Sequence, residues 1–170
     1  MLTLGTLPEA KEKVWVDAQH LIGQVKTICA ASVSSVEQAI ALLMQLREET
    51  AEDINQIQHE HMILVAAEWL VQNQRCSAET LCQWNPRQTG GADEPDLRGV
   101  LPSGAVISAE ITTSLEPQGV IDSRMAKTLK KLSVMPGTRY YFVRTDNMAA
   151  RARTKVRKNE YDIEVVRVSA

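Results

Sequence analysis

No run of apolar residues in this chain approaches the roughly 18 that a membrane span needs, and nothing at its start resembles a signal peptide. A membrane role is therefore not expected. Cysteine is scarce: Cys29, Cys76 and Cys82 are odd in number and show no metal-ligand spacing. Buried free thiols in a reducing compartment are the expectation, and with them a cytoplasmic protein. No histidine partners Cys82 at a recognisable spacing, which speaks against a thiol nucleophile. Aromatic residues are also few. Trp15, Trp69 and Trp84 suit packing better than base stacking, and Tyr140-Tyr141-Phe142 reads as the core of a strand. Internal repeats and low-complexity tracts are absent from the sequence.

What is present is enough for one domain, or one domain with a helical appendage: 170 residues can bury a core. The net charge of −2 conceals an asymmetry. Residues 1–121 carry 16 acids against 7 Lys/Arg, whereas residues 122–158 carry 2 acids against 11. A basic segment after an acidic cluster fits a protein that meets a polyanion with a metal beside it. A helix with a solvated, lysine-rich face would give the same split.

Taken in order, residues 8–31 predict a helix, with Pro8 in its first turn and Val14, Ala18, Leu21, Val25 and Ile28 at spacings of three and four. Ser34, three residues before Glu37, offers a capping box for a second helix through Glu52. The two suit an antiparallel hairpin that packs on the main domain or on a second subunit. A third helix is expected over 53–74, joined to the second or separate from it. His59 and His61 are two apart and point to different faces, so they make no joint metal site. Ser77–Trp84 reads as a strand and Asn85–Ala92 as a loop. Asp122 or Ser123 is expected to cap a helix to about Val134, with Arg124, Lys127 and Lys131 on one stripe. Thr138–Arg144 reads as a strand, Asp146–Lys158 as a basic helix capped by Asp146, and Tyr161–Val168 as a last strand.

The informative stretch lies between, from Asp93 to Ser114. From Ala105 the residues alternate, with Ala105, Ile107, Ala109 and Ile111 on one side and Val106, Ser108, Glu110 and Thr112 on the other. A period of two marks a strand with one face buried. Pro102-Ser103-Gly104 supplies a three-residue turn. A loop centred on Ser103 sets Asp96 opposite Glu110, with Arg98 on the same face. Like charges opposed at roughly 5 Å destabilise a strand pair. A divalent cation held by both carboxylates would offset the repulsion. So would a shared proton, or solvation on an open face.

The element order, together with Pro95-Asp96 and Glu110-Ile111-Thr112, resembles the restriction-endonuclease-like nucleases of the PD-(D/E)XK superfamily. Their signature is Pro-Asp on the second core strand, then an acid and a lysine two residues apart on the third. Thr112 stands here where the family usually has lysine. The resemblance implies an α/β fold, a restriction-endonuclease-like α-β-β-β-α-β core with a mixed sheet flanked by helices, preceded by the helical hairpin. It divides the chain into a helical appendage, 1–52, and a nuclease-like domain, 53–170. It implies Asp96 and Glu110 as ligands of Mg²⁺ or Mn²⁺, with Glu60 completing the site and Glu68 as the competing helical acid. Thr112 can hydrogen-bond water but supplies no positive charge. Lys127 is the favoured substitute for the lysine, with Lys131 the other one available. Arg98, Arg124 and Lys131 are candidates for phosphate contact.

The expected function is metal-dependent hydrolysis of phosphodiester bonds in DNA, with RNA left open as substrate. The alternative is a nuclease fold that has lost catalysis and serves nucleic-acid binding or protein assembly; the missing lysine supports it. A homodimer built by the amino-terminal helices is expected from the resemblance.

Overall fold

The computed structural model describes residues 1–77, 80–86 and 93–169. These form a six-stranded mixed sheet with two helices on each face. The elements are β1 (Leu2–Thr3), α1 (Leu7–Cys29), α2 (Val36–Gln72), β2 (Leu81–Trp84), β3 (Leu97–Val100), β4 (Val106–Thr112), α3 (Val120–Ser133), β5 (Thr138–Val143), α4 (Asp146–Lys158) and β6 (Glu164–Arg167). The class is α/β, as expected.

Local chemistry sets the helix starts. At α1 the Thr6 hydroxyl accepts from the Glu9 N–H, and the Glu9 carboxylate accepts from the Thr6 N–H, a reciprocal cap the sequence reading overlooked. At α2 the cap is Ser35, whose hydroxyl accepts from the Gln38 N–H at 3.2 Å. The expected Ser34–Glu37 box does not form, because Ser34 bonds the Gln38 side chain instead. From there α2 runs unbroken to Gln72, across residues 52 and 53, so the second and third expected helices are one. With no proline or glycine in this span, nothing in the backbone interrupts the hydrogen-bond ladder.

At α3 the structure corrects the expected cap. The helix opens at Val120 behind Gly119, with no side-chain cap. Asp122 turns outward, where Arg151 Nε and Lys155 Nζ of α4 donate to it at 2.7 and 3.0 Å. Charge pairing between helices outcompetes capping there. At α4 the cap is Thr145, not Asp146: its hydroxyl accepts from the Met148 N–H at 3.2 Å.

The sheet order is β1-β2-β3-β4-β5-β6. The first four strands are antiparallel, and β4, β5 and β6 are parallel, joined by the α3 and α4 crossovers. β1 was not anticipated, since two residues carry no periodic signal. The expected first strand begins only at Leu81, residues 78–79 lying outside the described residues, as do 87–92 of the expected loop. The last strand is shorter than expected, Glu164–Arg167.

The hairpin has the expected register: Leu97 pairs with Ala109 and Arg98 with Ser108. Gly104 sits at φ +83° in its turn. Leu97, Ile107, Ala109 and Ile111 face α2, against Ile63, Leu64, Ala67 and Leu70. The opposite face of β4 is not open to solvent, as a half-buried strand would be. Ser108 and Glu110 are only 1% and 6% exposed, because the α3–α4 layer covers them. Parallel strands joined by helical crossovers are covered on both faces, so β4, the junction strand, is buried on both. Gly137 leads from α3 into β5 at φ +78°, and a Cβ there would collide with the Val106 carbonyl. This close approach admits only glycine.

Candidate active site

A cleft of about 940 Å³ opens between α2, the hairpin and α3. β3 and β4 bring two carboxylates to its floor. One step beyond the Leu97–Ala109 pair, the register sets Asp96 opposite Glu110. Asp96 is held in orientation: its Oδ2 accepts from the Ile111 N–H at 2.8 Å and lies 3.4 Å from His59 Nε2 of α2. Glu110 Oε1 lies 2.7 Å from Lys131 Nζ of α3. The same ammonium donates to the Glu94 carbonyl at 2.9 Å. Like charge across the hairpin is thus offset, in this structure, by a lysine and a histidine.

The compensation is incomplete. Burial, and then the charge of Asp96, raise the Glu110 carboxyl from its usual 4.5 to about 7, although Lys131 and His59 pull the other way. For His59, burial disfavours the charged ring. The hydrogen bond and charge of Asp96, with the charge of Glu110, outweigh it and place the imidazole above its usual 6.5. Glu110 Oε1 has the Lys131 ammonium 2.7 Å away as its ion-pair partner. His59 Nδ1 is buried and meets no hydrogen-bond partner among the described residues. Buried polar atoms left this way are uncommon and point to a missing partner.

Of the residues singled out from the sequence, Asp96, Glu110, Thr112, Arg124 and Lys131 line the cleft. Tyr141 lines the cleft as well, its hydroxyl pushed well above its usual value by burial and by the charge of Glu110. Four others do not reach the cleft. Lys127 is exposed on α3: Ile121, Arg124, Met125, Thr128 and Lys131 form the cleft-facing stripe, and Lys127 falls about a quarter turn outside it. Glu60 points to α1, where Lys13 Nζ holds its Oε2 at 2.7 Å and Gln56 Nε2 its Oε1 at 3.1 Å. Arg98 shares the Glu110 face of the hairpin but sits farther along it, opposite Ser108. Glu68 is paired with Lys11. Cys82 is no nucleophile, its thiol raised by burial to about 11.

His59 was the omission. Its sequence neighbour Glu60 drew attention as an acid, yet adjacent residues on a helix face about 100° apart. A usable signal was present. Glu52, Asn55, Gln56 and His59 recur at i, i+3, i+4 and i+7, a polar stripe along the helix, and all four line the cleft. Glu94 lines it too, its carboxylate 3.1 Å from the amino group of Met1.

Among the described residues no three His, Cys, Asp or Glu side chains form a group able to hold a metal by themselves. Magnesium seldom needs one: it keeps several waters and takes one or two carboxylates plus substrate phosphate. Asp96 and Glu110, two carboxylates opposed at the floor of one cleft, fit that smaller demand. No helix among the described residues is long and apolar enough to cross a membrane. Compared with protein-family models, curated proteins and solved structures, the chain shows no match.

Proposed function

We propose that the cleft is a phosphodiesterase site of the restriction-endonuclease-like kind, acting on DNA with Mg²⁺ or Mn²⁺ held by Asp96 and Glu110. The observation that carries the reading is the opposed carboxylate pair on the hairpin with Lys131 beside Glu110. An α3 lysine thereby reaches the acid whose own strand carries Thr112 in place of the lysine. The element order α2-β2-β3-β4-α3-β5 is the α-β-β-β-α-β order that the resemblance implies.

When bound, the ion would supply a Lewis acid and lower the pKa of water in the cleft. The chain's own residues do the rest. His59 and the Ile111 N–H hold Asp96 in orientation. Lys131, which lies 2.7 Å from Glu110 at the cleft floor, would offer positive charge to a phosphate bound there. Arg124, exposed at the rim, suits the DNA backbone, and Thr112 can orient a water.

The test is plasmid nicking with Mg²⁺ or Mn²⁺ by wild type, Asp96→Ala and Lys131→Ala. Metal-dependent nicking lost in both variants supports the reading. Salt-sensitive DNA binding without cleavage would favour the inactive binding module, for which Thr112 in the lysine's place is the supporting feature. Neither cleavage nor binding would overturn both.

A further inference from the structure

The α1–α2 hairpin carries exposed apolar side chains that nothing among the described residues covers. Of α2, no residue before Thr50 is buried. The stretch from Val36 to Glu49 therefore reaches about 20 Å past its first buried side chain, at 1.5 Å per residue. Along it and just beyond, Val36, Ile40, Leu43 and Ile54 are 73, 52, 60 and 41% exposed, and on α1 Trp15 and Ile22 are 55 and 49% exposed. The helices are antiparallel: Lys11 and Lys13, early in α1, pair with Glu68 and Glu60, late in α2.

Around α1, Trp15 and Ile22 lie about a quarter turn from Val14, Leu21, Val25 and Ile28, the side turned to α2. Around α2, Val36, Ile40, Leu43 and Ile54 lie about a quarter turn from Ala39, Leu42, Leu46 and Thr50, the side turned to α1. For antiparallel right-handed helices these two displacements fall on the same side of the hairpin. The six side chains thus share one side of the hairpin, with the exposed Arg47 among them between Leu43 and Ile54.

We infer that this stripe is where a second copy of the chain docks, two hairpins packing about a two-fold axis as a four-helix bundle. With ordinary side-chain areas, the exposed fractions amount to on the order of 600 Å² of apolar surface per chain. That is the upper end for the largest patch on a monomer, and with a polar rim it approaches the roughly 800 Å² per partner of a stable interface. A two-fold axis presents each copy with the same apolar stripe, so one surface satisfies both sides. Bundle formation also gives the protruding half of α2 the tertiary packing on which helices in water depend. The inference stands apart from the nuclease reading, since no residue of the cleft belongs to the stripe.

Sedimentation equilibrium on the full chain, with the Ile40→Glu/Leu43→Glu double variant beside it, tests this. The wild type is expected to be dimeric at about 100 µM. The double variant is expected to be monomeric with an unchanged far-ultraviolet spectrum, its association weakened at least about 100-fold. Tryptophan quenching by iodide gives a second readout, because Trp15 becomes shielded only in the dimer while Trp84 is buried in either state. A double variant that remains dimeric overturns the proposal. So does a wild type that stays monomeric, including one that instead sediments with phosphatidylcholine–phosphatidylglycerol vesicles.

Discussion

Two buried glutamates in this protein lead opposite lives. Glu60, on α2, is 1% exposed, and both its oxygens are met, one by Lys13 and one by Gln56. Glu110, on β4, is 6% exposed, faces Asp96, and has the Lys131 ammonium 2.7 Å from one oxygen. Burial alone does not separate them. The neighbours do: at the α1–α2 seam the chain surrounds its carboxylate with donors, whereas in the cleft it sets a second carboxylate beside it. An acid that is buried and satisfied is scaffold. One that is buried and next to a like charge stores an unfavourable interaction that a ligand can relieve.

The largest expected effect separates the two in activity. If the cleft hydrolyses phosphodiesters, Asp96→Ala or Glu110→Ala should lower metal-dependent nicking by about 1,000-fold or more. Glu60→Gln, normalised to folded protein, should stay within about threefold. Equal losses would erase the contrast. Next comes the identity of the lysine: Lys131→Ala should cost about 100-fold in the same assay and Lys127→Ala about twofold or less, as only Lys131 reaches Glu110.

The seam should respond in stability instead. Lys13→Ala leaves Glu60 buried with Gln56 as its remaining donor, and should cost about 2 kcal/mol in urea unfolding. The smallest effect has the opposite sign. Because the folded state raises the Glu110 carboxyl above its unfolded 4.5, the folded protein keeps a proton that the unfolded chain releases between pH 4.5 and about 7. Its contribution to stability therefore declines across that window and stays low above it. Glu110→Gln should be neutral near pH 4.5 and stabilising by about 1–2 kcal/mol at pH 8, without metal. A variant less stable at pH 8 would show that Lys131 already compensates the charge in full.

Much of this architecture was legible in the residues. The alternation from Ala105 and the Pro102-Ser103-Gly104 turn gave the hairpin register, and with it the opposition of Asp96 and Glu110. Strand period and turn chemistry are local, so a local reading reaches them. Helix starts were less secure. Asp122 looks like a cap by composition, but Arg151 and Lys155, about thirty residues on, claim its carboxylate. Lys127 was preferred to Lys131 for want of the same information: a stripe of basic residues shows which share a side, not which way that side turns.

By itself, then, the sequence determined the α/β class, the hairpin and the placing of two acids across it, because these follow from periodicity and turns within some twenty residues. Only the tertiary structure decided that α3 and α4 cover the second face of β4, that His59 rather than Glu60 turns to the cleft, and that Lys131 is the cation beside Glu110. Those outcomes depend on how each helix rotates as it packs on the sheet. That rotation is set by the joint fit of many side chains from distant parts of the chain, and a single strand or helix read alone does not contain it.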